Sequence, residues 1–313
     1  MDLSLERIET AVGTIDAVFL NSPQFVGLSD ELGREVLVKV ETMNPIGSFK
    51  GRGTSLLAQK LDPSRTWVCA TAGNFGQGLA YAARARGAQV HVFAASGAPL
   101  TKVERMRALG ARVEISATSE SAAREYAAAS PERLLVVDGL DPAIAEGAGT
   151  IGVELDAANA IDTVVVQIGD GALISGVARW LKSRPQGIRV VGVCASGAPA
   201  MAESMAAGRP LSVRGAGTIA TALEIIEPVP ESFARVRALV DDVLLVDDAD
   251  LKDAMHVVAR HLGLLVEPAG AAGIAALARH QAAIAGERVA VILTGAGTPD
   301  DERRAGDLTT RSI

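Results

Sequence analysis

The 313-residue chain carries 30 basic and 37 acidic residues, a net charge of −7, and 49% hydrophobic content, a balance that excludes disorder and leaves room for two domains around a substantial core. It has no Lys/Arg cluster to meet nucleic acid or an anionic membrane, no apolar run long enough to span a bilayer, and acids (Asp2, Glu6, Glu9) where a signal peptide would be basic, so a cytosolic, cytoplasmic location is expected. Cys69 and Cys194 each end an apolar, strand-like run and are expected to be buried free thiols, while His91, His256, His261 and His280 have no metal-ligand spacing.

From the N-terminus, the first segment with chemical content is Asn44-Pro45-Ile46-Gly47-Ser48-Phe49-Lys50-Gly51-Arg52-Gly53, a Pro/Gly turn leading into a helix that starts near a lysine. A lysine held there is expected to be partly desolvated, which lowers its pKa and frees the amine to form an imine with an aldehyde. A solvated charge is the plain alternative, and Lys39, Lys60, Lys102, Lys182 and Lys252 are available for comparison. Next, a strand-like Trp67 to Ala70 runs into Thr71-Ala72-Gly73-Asn74-Phe75-Gly76-Gln77-Gly78, which opens a helix ending at Arg86 and closed by Gly87. Free N–H groups at a helix start, with a hydroxyl and an amide beside them, make a receptor for a carboxylate; the simpler reading is a helix cap.

Further along, short β-branched runs alternate with alanine-rich helical stretches. Strands are expected over 89–95, 112–116, 134–138, 162–168, 189–194, 243–246 and 288–293, with a helix from Leu100 to Leu109 closed by Gly110. This alternation predicts an α/β fold of mainly parallel sheets flanked by helices, whose ligand sites lie in the loops that leave the strands. One such loop is Gly169-Asp170-Gly171-Ala172-Leu173-Ile174-Ser175-Gly176, where successive N–H groups at a helix start can cradle a phosphate. A dinucleotide fingerprint competes. It fits poorly, because Ile174 stands at its third glycine and Cys194-Ala195 replaces the acid expected after the next strand. Two more loops, Glu267-Pro268-Ala269-Gly270-Ala271-Ala272-Gly273 and Thr294-Gly295-Ala296-Gly297, complete a set of five strand-exit or helix-entry loops.

Together these segments resemble the fold-type II pyridoxal-phosphate enzymes, a tryptophan synthase β-like group that includes threonine and serine dehydratases, serine racemase, threonine synthase and cysteine synthase. The resemblance runs through nearly the whole chain: Lys39-Val40-Glu41, Gly47-Ser48-Phe49-Lys50, the Thr71 to Gly78 loop, Thr101-Lys102 through Leu109-Gly110-Ala111, the Gly169 loop, Glu267-Pro268 and Thr294-Gly295. It implies pyridoxal 5'-phosphate as cofactor, with Lys50 as the Schiff-base lysine and the catalytic base. Asn74 would meet the pyridoxal 3'-oxygen, Gly169, Asp170, Gly171, Ala172 and Leu173 the phosphate, and Thr294 the pyridine nitrogen. Ser48, Thr71, Gly73, Asn74 and Phe75 would bind an amino-acid substrate. It also implies a large domain formed by residues 1–65 and 146–313, a small mobile domain over 66–145, and a homodimer.

A neutral hydroxyl at the ring nitrogen leaves the ring a weaker electron sink than a carboxylate would, which favours loss of a β-substituent over transamination. The expected activity is therefore dehydration and deamination of a β-hydroxy amino acid such as threonine or serine. A β- or γ-replacement synthase is the alternative, ahead of a catalytically silent cofactor-binding protein or an NAD-dependent oxidoreductase. Two positions depart from the group. Asp170 and Ala172 stand where dehydratases commonly have glycine, and a carboxylate near a phosphate must point outward or meet a cation. Ala72 occupies the place at which serine racemase has its proton-relaying serine, so racemisation ranks below elimination. With Ile313 following soon after Thr294, an effector-binding C-terminal domain is not expected.

Overall fold

A computed structural model describes residues 2–71, 73–158, 161–298, 301 and 306. Among them, ten strands form two sheets. The strands are β1 (Gln24–Val26), β2 (Glu35–Val40), β3 (Thr66–Ala70), β4 (Val90–Ala95), β5 (Arg112–Ser116), β6 (Arg133–Leu135), β7 (Thr163–Gln167), β8 (Arg189–Ala195), β9 (Asp242–Val246) and β10 (Arg288–Leu293). The larger sheet has the order β1-β2-β10-β7-β8-β9, and the smaller β5-β4-β3-β6. Every pairing is parallel except β1 with β2 at the edge. Central strands such as Val164-Val165-Val166 in β7 and Val289-Ala290-Val291 in β10 are buried on both faces, which is why they read as continuous apolar runs. Cys69 and Cys194 are buried free thiols within this core, and burial pushes Cys194 up to about 12. None of the described helices is long and apolar enough to cross a membrane.

Two element boundaries matter for the site. The helix that the Thr71 to Gly78 segment was expected to open begins at Asn74 and runs to Arg86, so the second half of that segment is its first turn. β6 stops at Leu135, short of the expected end at Asp138. Val136 still donates to Val68 O (2.7 Å), but the chain then turns at Gly139 (φ +74°) and Asp138 leaves the sheet. The helix Lys50–Ala58 packs closely on the helix Pro142–Ala157 because glycines face backbone. A Cβ at Gly53 would lie 2.6 Å from Ile144 O, and one at Gly147 2.6 Å from Arg52 O. Larger residues there would push the Lys50 helix off its seat.

Candidate active site

Lys50 is the first residue of its helix, and the turn before it is tied on both sides. Asn44 Oδ1 accepts from the Ile46 and Ser48 N–H groups (3.2 Å each), and Asn44 Nδ2 donates to Glu41 O (2.8 Å). Ser48 Oγ accepts from the N–H of Lys50 (3.3 Å), the first residue of the helix. Phe49 N donates to Thr294 O (3.1 Å), and Ser48 forms an isolated bridge with Gly295. The Lys50 turn is thus joined to the loop that leaves β10. Behind it Arg52, fully buried, donates to Glu41 Oε1 and Oε2 (2.8 Å each), Glu154 Oε1 (2.6 Å) and Thr150 Oγ1 (2.9 Å). Lys39 Nζ lies 2.6 Å from Glu154 Oε2, and burial holds its pKa below the usual lysine range despite that partner.

The Lys50 amine lies 2.7 Å from Asp138 Oδ2 and 2.6 Å from Asp170 Oδ2. Burial by itself would depress the lysine, but the two carboxylates outweigh it and hold the ammonium well above the ordinary lysine range. The sequence-based expectation of a lowered pKa is therefore overturned for the cofactor-free protein. Asp170, the residue out of place in a phosphate loop, meets a cation: the lysine itself. The two acids differ from each other. Asp170 Oδ1 also accepts from the Ala172 N–H (2.6 Å) at the start of the helix Ala172–Leu181; although burial acts to raise it, Lys50 and this N–H hold it below the usual carboxylate range. Asp138 is pushed up to about 7, chiefly by burial, with the Asp170 charge adding to the push. Its Oδ1 is buried without a hydrogen-bond partner among the described residues.

Thr71, Gly73 and Asn74 lie where β3 gives way to its helix. Thr71 Oγ1 accepts from the Gly73 N–H (3.2 Å), and the space beside Gly73 is open. The Phe75 ring centroid is 6.0 Å from Lys50 Nζ, but its side chain belongs to the core, which leaves its backbone rather than its ring available to a ligand. Asn74 Nδ2 donates to Glu267 Oε1 (3.0 Å), and Glu267 Oε2 pairs with buried Lys102 (2.6 Å). Burial opposes the Lys102 charge, yet Glu267 keeps its pKa above the ordinary value. Thr294 is buried, and its Oγ1 accepts from Gln167 Nε2 (2.8 Å). The same nitrogen faces Ala269 O (2.9 Å) and Ile292 O (3.1 Å), acceptors that fix which way the amide points. Thr294 therefore keeps its hydroxyl hydrogen free to donate.

The Gly169 loop joins β7 to the Ala172–Leu181 helix. Gly171 has φ +91°, and a Cβ there would lie 2.4 Å from Ser232 Oγ; at Gly169 it would lie 2.3 Å from Ala222 O. Glycine is required at both, and the first-turn N–H groups of the following helix have no intrahelical partner. An amine, an anion cradle and a free hydroxyl donor thus converge at the carboxyl ends of parallel strands. The model of the family described as pyridoxal-phosphate dependent enzyme matches residues 24–295.

The chain belongs to that family. Its cofactor is pyridoxal phosphate. An L-threonine ammonia-lyase of Thermotoga maritima is 33% identical over 302 residues, which cover 94% of this chain and 75% of that protein. The structure of maize serine racemase aligns with TM-score 0.89 at 28% identity, covering 95% of this chain and 94% of that one. The processed form of threonine deaminase isoform 2 from Solanum lycopersicum aligns with TM-score 0.88 at 25% identity, covering 98% and 89%. The family settles the dinucleotide alternative against NAD. The residues present suit the group: the glycine loop offers backbone donors for a phosphate, Thr294 offers a hydroxyl hydrogen, and Lys50 offers a primary amine. Asp170 is the one competitor, since it takes the Ala172 N–H for itself.

Sequence reasoning selected Lys50, Ser48, Asn74, Asp170 and Thr294, all of which lie on this linked set of contacts. It missed Asp138, Gln167 and the pairing of Lys102. Lys102 carried a signal, its place in the family order; Asp138 looked like a strand end and Gln167 like a strand interior. Ala72, on which the racemisation expectation rests, lies outside the described residues.

Proposed function

We propose that this family member is a lyase removing water, and then ammonia, from a β-hydroxy amino acid such as threonine or serine to give a 2-oxoacid. The observation that carries the reading is the hydroxyl of Thr294, held as an acceptor by Gln167 and left with one hydrogen to give. A donor of that kind meets an unprotonated ring nitrogen, which favours prompt loss of a β-substituent. The similarity to a threonine ammonia-lyase supports the same class.

When bound, pyridoxal phosphate supplies an aldehyde for imine formation and withdraws electrons from the substrate Cα–H bond. Lys50 is the catalytic residue: it holds the cofactor, is released by the substrate amine, and takes the α-proton. Backbone N–H groups of the loop Gly169, Asp170, Gly171, Ala172 and Leu173 would hold the phosphate, Asn74 would meet the 3'-oxygen and Thr294 the ring nitrogen. Ser48, Thr71, Gly73 and the Asn74 and Phe75 backbone receive the substrate carboxylate at a helix N-terminus. The unit over 66–145 moves against the remainder, residues 1–65 and 146–313, to cover the substrate. A homodimer in the cytoplasm completes the proposal.

A panel of L-threonine, L-serine, O-acetyl-L-serine and O-phospho-L-homoserine, scored for 2-oxoacid, tests the reading. Release from threonine or serine is expected. Turnover only when a second nucleophile is supplied would make the protein a replacement synthase. Chiral chromatography of the serine reaction should find pyruvate with little D-serine, as expected of alanine at position 72.

A further inference from the structure

The turn after β6 has no part in the scheme above, yet it delivers a carboxyl to the reacting nitrogen. Arg235, itself paired with Asp2, donates to Gly139 O (3.2 Å). A Cβ at Gly139 would lie 3.0 Å from the Asp170 Cβ, so the turn is packed against the phosphate loop. Asp138 Oδ2 thereby reaches Lys50 Nζ (2.7 Å), and Oδ1 is buried with no partner among the described residues. Asp170, by contrast, has both oxygens engaged, one by Lys50 and one by a backbone N–H. Two carboxyls on one nitrogen cannot both stay anionic cheaply once the lysine charge is consumed. The one locked by an N–H keeps its charge, and the one with a bare oxygen carries the proton.

We propose that Asp138 is a catalytic acid: it protonates the leaving β-substituent of the substrate and is recharged by Lys50. The inference deepens the elimination reading of the preceding section and rests on it. The steps balance. Lys50 as a neutral amine takes the α-proton and becomes an ammonium. The electron pair of the Cα–H bond forms the Cα–Cβ double bond, and the Cβ–O bond breaks with its pair on oxygen. That oxygen takes the Asp138 proton and departs as water. The Lys50 ammonium then returns a proton to the Asp138 carboxylate across their 2.7 Å contact, restoring both groups. An acid near neutrality is matched to this task, and Asp138 is pushed up to about 7. The charged or titratable groups around it are Lys50, Asp170 and the buried Cys69 thiol.

The test compares a leaving group that needs a proton with one that does not. Asp138→Asn should lower kcat/KM for L-serine or L-threonine by about 10²–10⁴-fold while β-chloro-L-alanine, which expels chloride, changes by only a few-fold. Asp138→Glu should restore part of the hydroxyl reaction. A second readout needs neither substrate nor cofactor: infrared spectra of the cofactor-free protein with carboxyl-labelled aspartate, taken below neutrality, should contain a protonated-carboxyl band that Asp138→Asn removes. Equal loss on both substrates, no loss on either, or a wild-type spectrum without that band overturns the assignment. Failure of the elimination reading is seen separately, in wild-type protein that releases no 2-oxoacid from either hydroxy amino acid.

Discussion

Single residues set the chemistry of this site through what their partners leave free. Lys50→Ala should abolish turnover and the yellow absorbance of the cofactor-loaded protein while leaving the far-ultraviolet circular dichroism of the fold unchanged; retained activity would remove Lys50 from its role. Gln167→Leu leaves Ala269 O and Ile292 O buried without their donor, a loss of about 1–3 kcal/mol in urea unfolding. It also frees the Thr294 hydroxyl to turn, so cofactor affinity should fall as well; unchanged affinity would place Thr294 outside the cofactor's reach. Asp138 makes a pH signature. Its folded pKa, about 7, lies above the ordinary carboxyl value of about 3.9, so between those limits the folded state holds the extra proton. Stability from this group is present below that window and is lost as pH rises through it. Unfolding of cofactor-free protein should show that falling slope, and Asp138→Asn should flatten it.

At the scale of elements, the Lys50 helix is seated by charge as much as by packing. Arg52 lies two positions after Lys50 and forks across Glu41, from the β2 exit, and Glu154, from the Pro142–Ala157 helix. Burial opposes the Arg52 charge, yet the two carboxylates hold its pKa above the ordinary arginine value. Arg52→Leu should cost about 3–5 kcal/mol in urea unfolding, because it leaves the fully buried Glu41 carboxylate without its guanidinium and Glu154 with Lys39 alone; a cost under about 1 kcal/mol would mean that solvent reaches the pair. β3 to β10 and the helices that open near Lys50, Asn74, Leu100, Ala172 and Ala272 were legible, since valine runs and glycine caps are local signals; β1 and β2 were not among the expected strands. β5 and β10 fall on the expected residues. The end of β6 was not legible, because Leu134 to Val137 are apolar and only the turn at Gly139, held from Arg235 almost a hundred residues away, takes Asp138 out of the sheet. The sign of the Lys50 shift was hidden for the same reason: one of its two carboxylates arrives through that turn.

Across the whole molecule, Glu267 joins the two sheets' territories. It meets Lys102 and Asn74, both on helices that flank the smaller sheet, while its own N–H donates to Gly295 O (3.0 Å) beside β10. Lys102→Met should leave Glu267 buried and unpaired and raise hydrogen exchange in the helices Asn74–Arg86 and Leu100–Ala108. Adding Glu267→Gln should recover part of the loss, because the stranded charge is gone. Exchange that stays at the wild-type level in Lys102→Met would mean that other contacts hold the two parts together. The family order pointed to both residues, but nothing local paired Lys102 with a glutamate so far along the chain.

The placement of β10 also dictates an order of assembly during synthesis. β10 lies between β2 and β7, so the larger sheet stays split until residue 293 has left the ribosome. The smaller sheet needs only residues 66–135, and its contacts are comparatively local, so it can fold while the rest is still being made. β2 can pair with β1 as soon as both are made, but its other edge and the Lys50 turn must wait for the segment that carries Thr294. A nascent chain halted before β10 would display Lys50 with no completed site around it, so the fold withholds its chemistry until that strand has emerged.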